Sequence, residues 1–187
     1  MESCFSELQH ILKEQSKPNV LEINIGKKTE IGFLYGKEED ETTEILSNII
    51  KKYGVTPYYY RSTTTFQNNF ELSTYGKNRC FVRNSHSIKY INGSTHNDDL
   101  QVNIINKSKI SPDRFPTSFQ YHHSETTETI TFNINKNIKI NIIHICDEKI
   151  TTYYNIKLVY LFHPQNNIDE DLLQVSEILN FISHKKM

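Results

Sequence analysis

Apolar residues recur along this chain with two periods. Phe5, Leu8, Ile11 and Leu12 fall on one helical face, which predicts a helix over residues 2–15, stopped by Ser16, Lys17 and Pro18. Val20-Leu21-Glu22-Ile23-Asn24-Ile25 alternates and predicts a strand ending at Gly26, with a second short strand over 30–35. A charged link over 37–43 leads to a helix over 43–53, which carries Ile45, Ile49 and Ile50 on one face and has Gly54 and Pro57 behind it. From Tyr58 the period becomes two. Strands are predicted at 58–62, 69–74, 79–84, 87–91, 100–106, 118–123, 128–134, 138–145 and 152–162. Turn residues such as Gly76, Asn92-Gly93, Pro112, Asn135-Lys136-Asn137 and Asp147-Glu148-Lys149 separate them. Residues 169–184 close the series as an amphipathic helix, with Asp169 and Asp171 at its start and Lys185 and Lys186 after its end, as the helix dipole favours. About nine strands at this spacing suggest a mainly β (α+β) chain folded as a closed barrel or a sandwich, with flanking helices.

The two faces of these strands differ in chemistry. Ile138, Ile140 and Ile142 oppose Lys139 and Asn141; Ile156, Leu158 and Tyr160 oppose Asn155, Lys157 and Val159; Leu21, Ile23 and Ile25 oppose Glu22 and Asn24. A barrel with a wet interior accounts for this split. A half-buried sheet whose polar face meets bulk water is the commoner explanation of such a pattern.

Composition supports the strands. The chain has 187 residues, room for one domain of ordinary size. It has 24 Ile and 19 Asn, no Ala and no Trp, and 17 Lys against 4 Arg, as an AT-biased coding sequence would produce. Without alanine, the best helix former, a helical bundle is disfavoured. Acidic and basic residues nearly cancel, at 22 against 21, which argues against a basic nucleic-acid coat or an acidic tail while leaving room for a local basic channel. The N-terminus reads Met1-Glu2-Ser3-Cys4 with no apolar run behind it, so no signal peptide and a non-secreted protein are expected. No run approaches the ~18 apolar residues of a membrane span. Cys4, Cys80 and Cys146 are odd in number and far apart, which suits free thiols.

Several apparent motifs carry no chemistry. Gly32 to Lys37 has three residues between its glycines and Glu38 where a phosphate loop needs Ser or Thr. His122 and His123 would point to opposite faces of a strand. His144 and Cys146 share a face, but no further ligand pair is visible beside them, and a structural role is expected for both. Asn92 and Asn106 begin formal sequons of the kind an Asn-rich chain contains by chance.

The order of the strands resembles that of the metal-dependent, yeast-type RNA 5′-triphosphatases of mRNA capping. Val20 to Gly26 is similar to that family's first Glu-x-Glu strand, with Glu22 at its second glutamate and Val20 at its first. Phe81-Val82-Arg83 looks like the family's Phe-x-Arg strand. Leu100 to Ile104 and Lys139-Ile140-Asn141-Ile142-Ile143 resemble its next two signatures, with Lys for Arg and Asn for Asp. Asn155 to Val159 occupies the place of the last Glu-x-Glu-x-Glu strand.

This resemblance implies a single tunnel-like domain over 1–187: a helix at 2–15, a closed antiparallel barrel of about eight strands over 20–162, and a helix at 169–184. It implies binding of the 5′-triphosphate end of RNA by Arg79, Arg83, Lys89, Lys139 and Lys157. It also implies hydrolysis with Mg2+ or Mn2+, with Glu22 as the surviving catalytic and metal-contacting carboxylate. Asn141 and Asn155 stand at substituted family positions, which points to weakened metal binding, because hard cations want carboxylate oxygens. A strand shifted in register would instead offer Glu71, Glu125 or Glu128. Without activity no cofactor is expected, and the chain would be a silent barrel in capping or transcription, as the β-barrel subunits of the Mediator head are. Implied partners are triphosphate RNA, an mRNA guanylyltransferase or transcription-complex subunit, and a second copy of the chain as a homodimer. The implied location is nuclear in a cellular setting and cytoplasmic otherwise.

Overall fold

A computed structural model of the chain describes residues 20–68, 70–75, 77–91, 98–111, 113, 123–146, 153–162 and 167–183. The helix expected at 2–15 lies outside them, as does the strand expected at 118–123 apart from His123. The elements run β1 (Val20–Thr29), β2 (Gly32–Tyr35), β3 (Lys37–Glu38), α1 (Glu39–Tyr53), β4 (Tyr58–Gln67), β5 (Phe70–Tyr75), β6 (Lys77–Ile91), β7 (Asp99–Ile110), β8 (His123–Asn133), β9 (Ile138–Ile145), β10 (Tyr153–Leu161) and α2 (Ile168–Ser183).

Every pairing is antiparallel, and β1 bonds to both β7 and β10. The order β1-β7-β6-β5-β4-β8-β9-β10 therefore returns to β1 and closes an eight-stranded barrel, with β2 and β3 added as short side strands. Closure removes the open edges that an eight-stranded sheet would otherwise expose.

The alternation in sequence decides which side chains face where. Leu21, Ile23, Ile25, Val102, Ile104, Phe132, Ile138, Ile140, Ile142, Ile156, Leu158 and Tyr160 form one core with Ile49 of α1 and Val175, Ile178, Leu179 and Ile182 of α2. This apolar face is the outside of the barrel, and the two helices cover it. Each Ile or Leu so buried contributes about 1.5–3 kcal/mol. The Tyr160 hydroxyl donates to Asp171 at 2.8 Å and the Asn135 amide donates to Gln174 at 2.7 Å, which clips α2 to the strands. The polar partners of the same strands, including Glu22, Asn24, Gln101, Asn103, Thr129 and Thr131, are buried on the opposite, inner face. The polar face thus lines a tunnel and does not meet bulk water.

Several elements differ from expectation: β1, β4 and β7 run further than predicted and β8 starts earlier. Residues 37–38 are a strand and α1 begins at Glu39, four residues early, because Glu39, Asp40 and Glu41 place carboxylates at the positive end of the helix dipole. The helix ends as expected: Gly54 adopts φ 62° and its N–H donates to the Ile50 carbonyl at 2.9 Å. The strands expected at 79–84 and 87–91 are one strand, β6, with a register irregularity between Ser85 and Ser87. A bulge absorbs the extra residue without ending the ladder. Gly26, where β1 turns toward its pairing with β2, has no room for a Cβ, which would run into the Leu34 carbonyl oxygen. Among the described residues no helix is long and apolar enough to cross a membrane.

Candidate functional site

Three adjacent strands, β1, β10 and β9, build the inner wall around Glu22. In register, Glu22 stands opposite Val159 on β10 and Asn103 on β7. Lys157 stands between Asn24 on β1 and Asn141 on β9. Lys139 pairs with Val159 and lies one inward position along β9 from Asn141.

The Lys157 ammonium reaches back to Glu22 and donates to its Oε2 at 3.3 Å, with 20% and 12% of the two side chains exposed. Around this pair the polar groups are neutral amides. The Asn24 Nδ2 donates to Gln101 Oε1 at 3.0 Å, and the same oxygen accepts the Tyr35 hydroxyl at 2.8 Å. Asn141 Oδ1 accepts the Thr131 hydroxyl at 2.9 Å. Asn24 Oδ1 and Asn155 Oδ1 are buried without a hydrogen-bond partner.

A second ion pair lies on the far part of the inner face. Lys107 on β7 donates to Glu71 on β5 at 2.6 Å, and its ammonium sits 4.4 Å from the centre of the Phe81 ring. Arg79, exposed, pairs with Ser73, and Arg83 pairs with Lys107, both at inward register positions. Lys89 pairs with Val102, beyond the register irregularity between Ser85 and Ser87. Sequence alternation alone cannot place a residue beyond a bulge.

Would this wall hold the divalent cation that the resemblance implies? A hard cation is bound by several oxygens, usually with more than one carboxylate. Among the described residues, Glu22 is the carboxylate on this part of the wall, and the Lys157 ammonium lies against it. The shifted-register acids do not rescue the set. Glu71 is paired with Lys107, Glu125 takes a 2.9 Å contact from His123, and Glu128 lies at an outward position beside Arg61 and His144. The orphaned amide oxygens of Asn24 and Asn155 are neutral. The inner wall does not fit Mg2+ or Mn2+. Among the described residues the one group of three metal-ligating side chains is Glu128, His144 and Cys146, on the outside of the barrel. Glu128 is the residue missed when His144 and Cys146 are considered alone, because it joins them only across the β8–β9 pairing.

No family model matches the chain, and no curated protein matches it in sequence. Solved structures match it in fold. The S. pombe Pct1 RNA triphosphatase, in complex with the Spt5 CTD, superposes with a TM-score of 0.76 at 8% identity, over 100% of this chain and 94% of that one. The Mimivirus capping enzyme triphosphatase matches with a TM-score of 0.63 at 12% identity in a monoclinic crystal, over 97% of this chain and 98% of that one. Its triclinic structure gives 0.58 at 11% identity, over 98% and 99%. With the closed eight-stranded barrel, the polar interior and the two outer helices, this likeness shows that the chain has the tunnel fold of the RNA triphosphatases.

Proposed function

We propose that the chain binds the 5′-triphosphate end of RNA inside its tunnel and has given up metal-dependent hydrolysis. The observation that carries the reading is the Lys157–Glu22 pair at 3.3 Å. A lysine ammonium stands on the strand where the resembled family keeps metal-holding glutamates. It supplies a positive charge from the protein itself where a cation would otherwise sit.

The surrounding residues suit a polyanion. Lys139 and Lys157 lie on neighbouring inward positions with Asn141 between them in register, and Lys107, Lys109, Arg79 and Arg83 hold inward positions on β6 and β7. A phosphate oxygen between Lys139 and Lys157 accepts charge-assisted hydrogen bonds and draws Lys157 from Glu22. Glu22 orients the Lys157 ammonium while the tunnel is empty. Among the described residues no second carboxylate stands beside Glu22 to hold a metal that would polarise the γ-phosphorus and position an attacking water, so in this reading bound triphosphate persists. In this reading the protein works in mRNA 5′-end formation as a silent companion of a guanylyltransferase or a transcription complex, in the nucleus where the setting is cellular. The solved complex of the S. pombe relative with the Spt5 CTD supports a partner of the transcription machinery.

Two assays test this. Anisotropy titration of labelled 5′-triphosphate RNA against the same RNA with a 5′-hydroxyl should show preference for the triphosphate, weakened by Lys157→Glu. Phosphate release with Mg2+ or Mn2+ should stay at background. Release abolished by Glu22→Ala would instead establish a working enzyme, and equal binding of both RNAs would leave only a scaffold.

A further inference from the structure

The outer wall carries a separate cluster that the tunnel reading does not use. Glu128 on β8 and His144 on β9 are direct cross-strand partners, and Cys146 follows two residues after His144 on the same side of the strand. His144 Nδ1 lies 3.9 Å from Cys146 Sγ and 3.9 Å from Glu128 Oε2, and all three ligand atoms fall within 4.8 Å of one another. All three residues are half-buried.

We propose that Glu128, His144 and Cys146 bind one borderline transition-metal ion of the zinc type on the outside of the barrel, with a fourth coordination position open to solvent. The donor set is one carboxylate oxygen, one imidazole nitrogen and one thiolate, each an established zinc ligand. Hard cations such as Mg2+ and Ca2+ disfavour the sulfur and nitrogen. Carboxylate and thiolate together carry two negative charges, which a dication neutralises, and binding releases the thiol proton to solvent.

The surroundings hold the ligands in place. The Cys146 N–H donates to the Thr126 carbonyl at 2.7 Å, which extends the β8–β9 ladder past the end of β9 and fixes the cysteine backbone. The Tyr154 ring lies 5.1 Å from the His144 ring at 32° and covers one side of the imidazole. The exposed Tyr59 on β4 lies beside the cluster, and its phenol is held above the usual value of 10.0, by local desolvation first and then by Glu128, with Arg61 opposing. A polar neighbour of this kind helps orient a ligating carboxylate.

The test is titration of the metal-free full chain, in a Cys4→Ser, Cys80→Ser background, with Co2+ as the spectroscopic stand-in for zinc. One equivalent should bring intense visible bands of a tetrahedral ion and a near-ultraviolet thiolate-to-cobalt band, and Zn2+ should displace both. Cys146→Ser should remove the ultraviolet band, and His144→Ala should abolish binding. Tyr59→Phe should weaken binding about tenfold or more without moving the band positions. Glu22→Gln, in the tunnel, should leave the spectrum unchanged, which separates this site from any ion inside the barrel. A folded protein, checked by circular dichroism, that shows no thiolate band at stoichiometric Co2+ would overturn the proposal. So would a band that survives Cys146→Ser.

Discussion

The two faces of the wall formed by β8, β9, β10 and β1 handle charge in opposite ways. Inside, the Glu22 carboxylate meets the Lys157 ammonium at 3.3 Å, and the pair sums to zero without any added ion. Outside, Glu128, His144 and Cys146 draw three metal-ligating atoms within 4.8 Å, and two of the three are anionic when ready to bind a metal. The difference teaches that affinity for a cation depends less on how many polar groups a wall presents than on whether their charge is already balanced. The inner wall is richer in polar side chains, yet it is the outer one whose charge a dication completes.

Lys157→Glu strikes hardest at that contrast. It replaces a half-buried ion pair with two carboxylates, and loss of one partner of such a pair costs about 3–5 kcal/mol. Urea unfolding should register the loss, with Lys157→Gln, which keeps the stem, falling between wild type and Lys157→Glu. Mg2+ should raise the unfolding midpoint of Lys157→Glu and leave wild type unmoved, because only the variant offers it a pair of acids. Equal response to Mg2+ in both proteins would mean that Lys157 does not exclude the ion, and the contrast between the faces would collapse.

On the outer face the expected effect is next in size. A ligand that binds only the native state at a hundred times its dissociation constant stabilises by about 2.7 kcal/mol. Zinc should therefore raise the unfolding midpoint of wild type and of Glu22→Gln alike, a chelator should reverse it, and Cys146→Ser should be indifferent to both. Gly26→Ala tests whether the faces are independent. Its methyl meets the Leu34 carbonyl oxygen where β1 pairs with β2, and overpacking of this kind costs about 1–3 kcal/mol. Stability should drop while the cobalt spectrum keeps its shape; a changed spectrum would reveal coupling through the barrel.

Much of the inner wall was legible in the sequence. Strict alternation in 138–142 and 155–159 separates Lys139, Asn141, Asn155 and Lys157 from the isoleucines, and β9 has the bounds its pattern predicts. What alternation leaves open is which side of a closed sheet is the inside. Here the apolar face is the outer one, because α1 and α2 supply the apolar cover there. The irregularity between Ser85 and Ser87 was not legible either, because period two carries no mark of a bulge. The outer cluster was half legible. His144 and Cys146 share a face by spacing alone, but Glu128 reaches them through strand pairing, sixteen residues away in sequence, and a local pattern does not encode register between strands.

The smallest effect sharpens what the inner face does with its surplus cations. Lys139 pairs with Val159 beside the Glu22–Lys157 pair, and no carboxylate stands opposite it in register on either β8 or β10. Its charge is therefore available to a phosphate. Lys139→Gln should leave urea stability nearly unchanged and weaken triphosphate-RNA binding modestly. Binding measured across a salt series should show the cause. Each phosphate contact to a single strand contributes about 0.7 to the slope of log affinity against log salt, so the variant's slope should be shallower by about that amount. The cobalt spectrum of the outer face should not respond. An unchanged slope with weaker binding would mean that Lys139 shapes the tunnel without touching phosphate, and the polyanion contact would then rest on Lys157 and the β6–β7 cations.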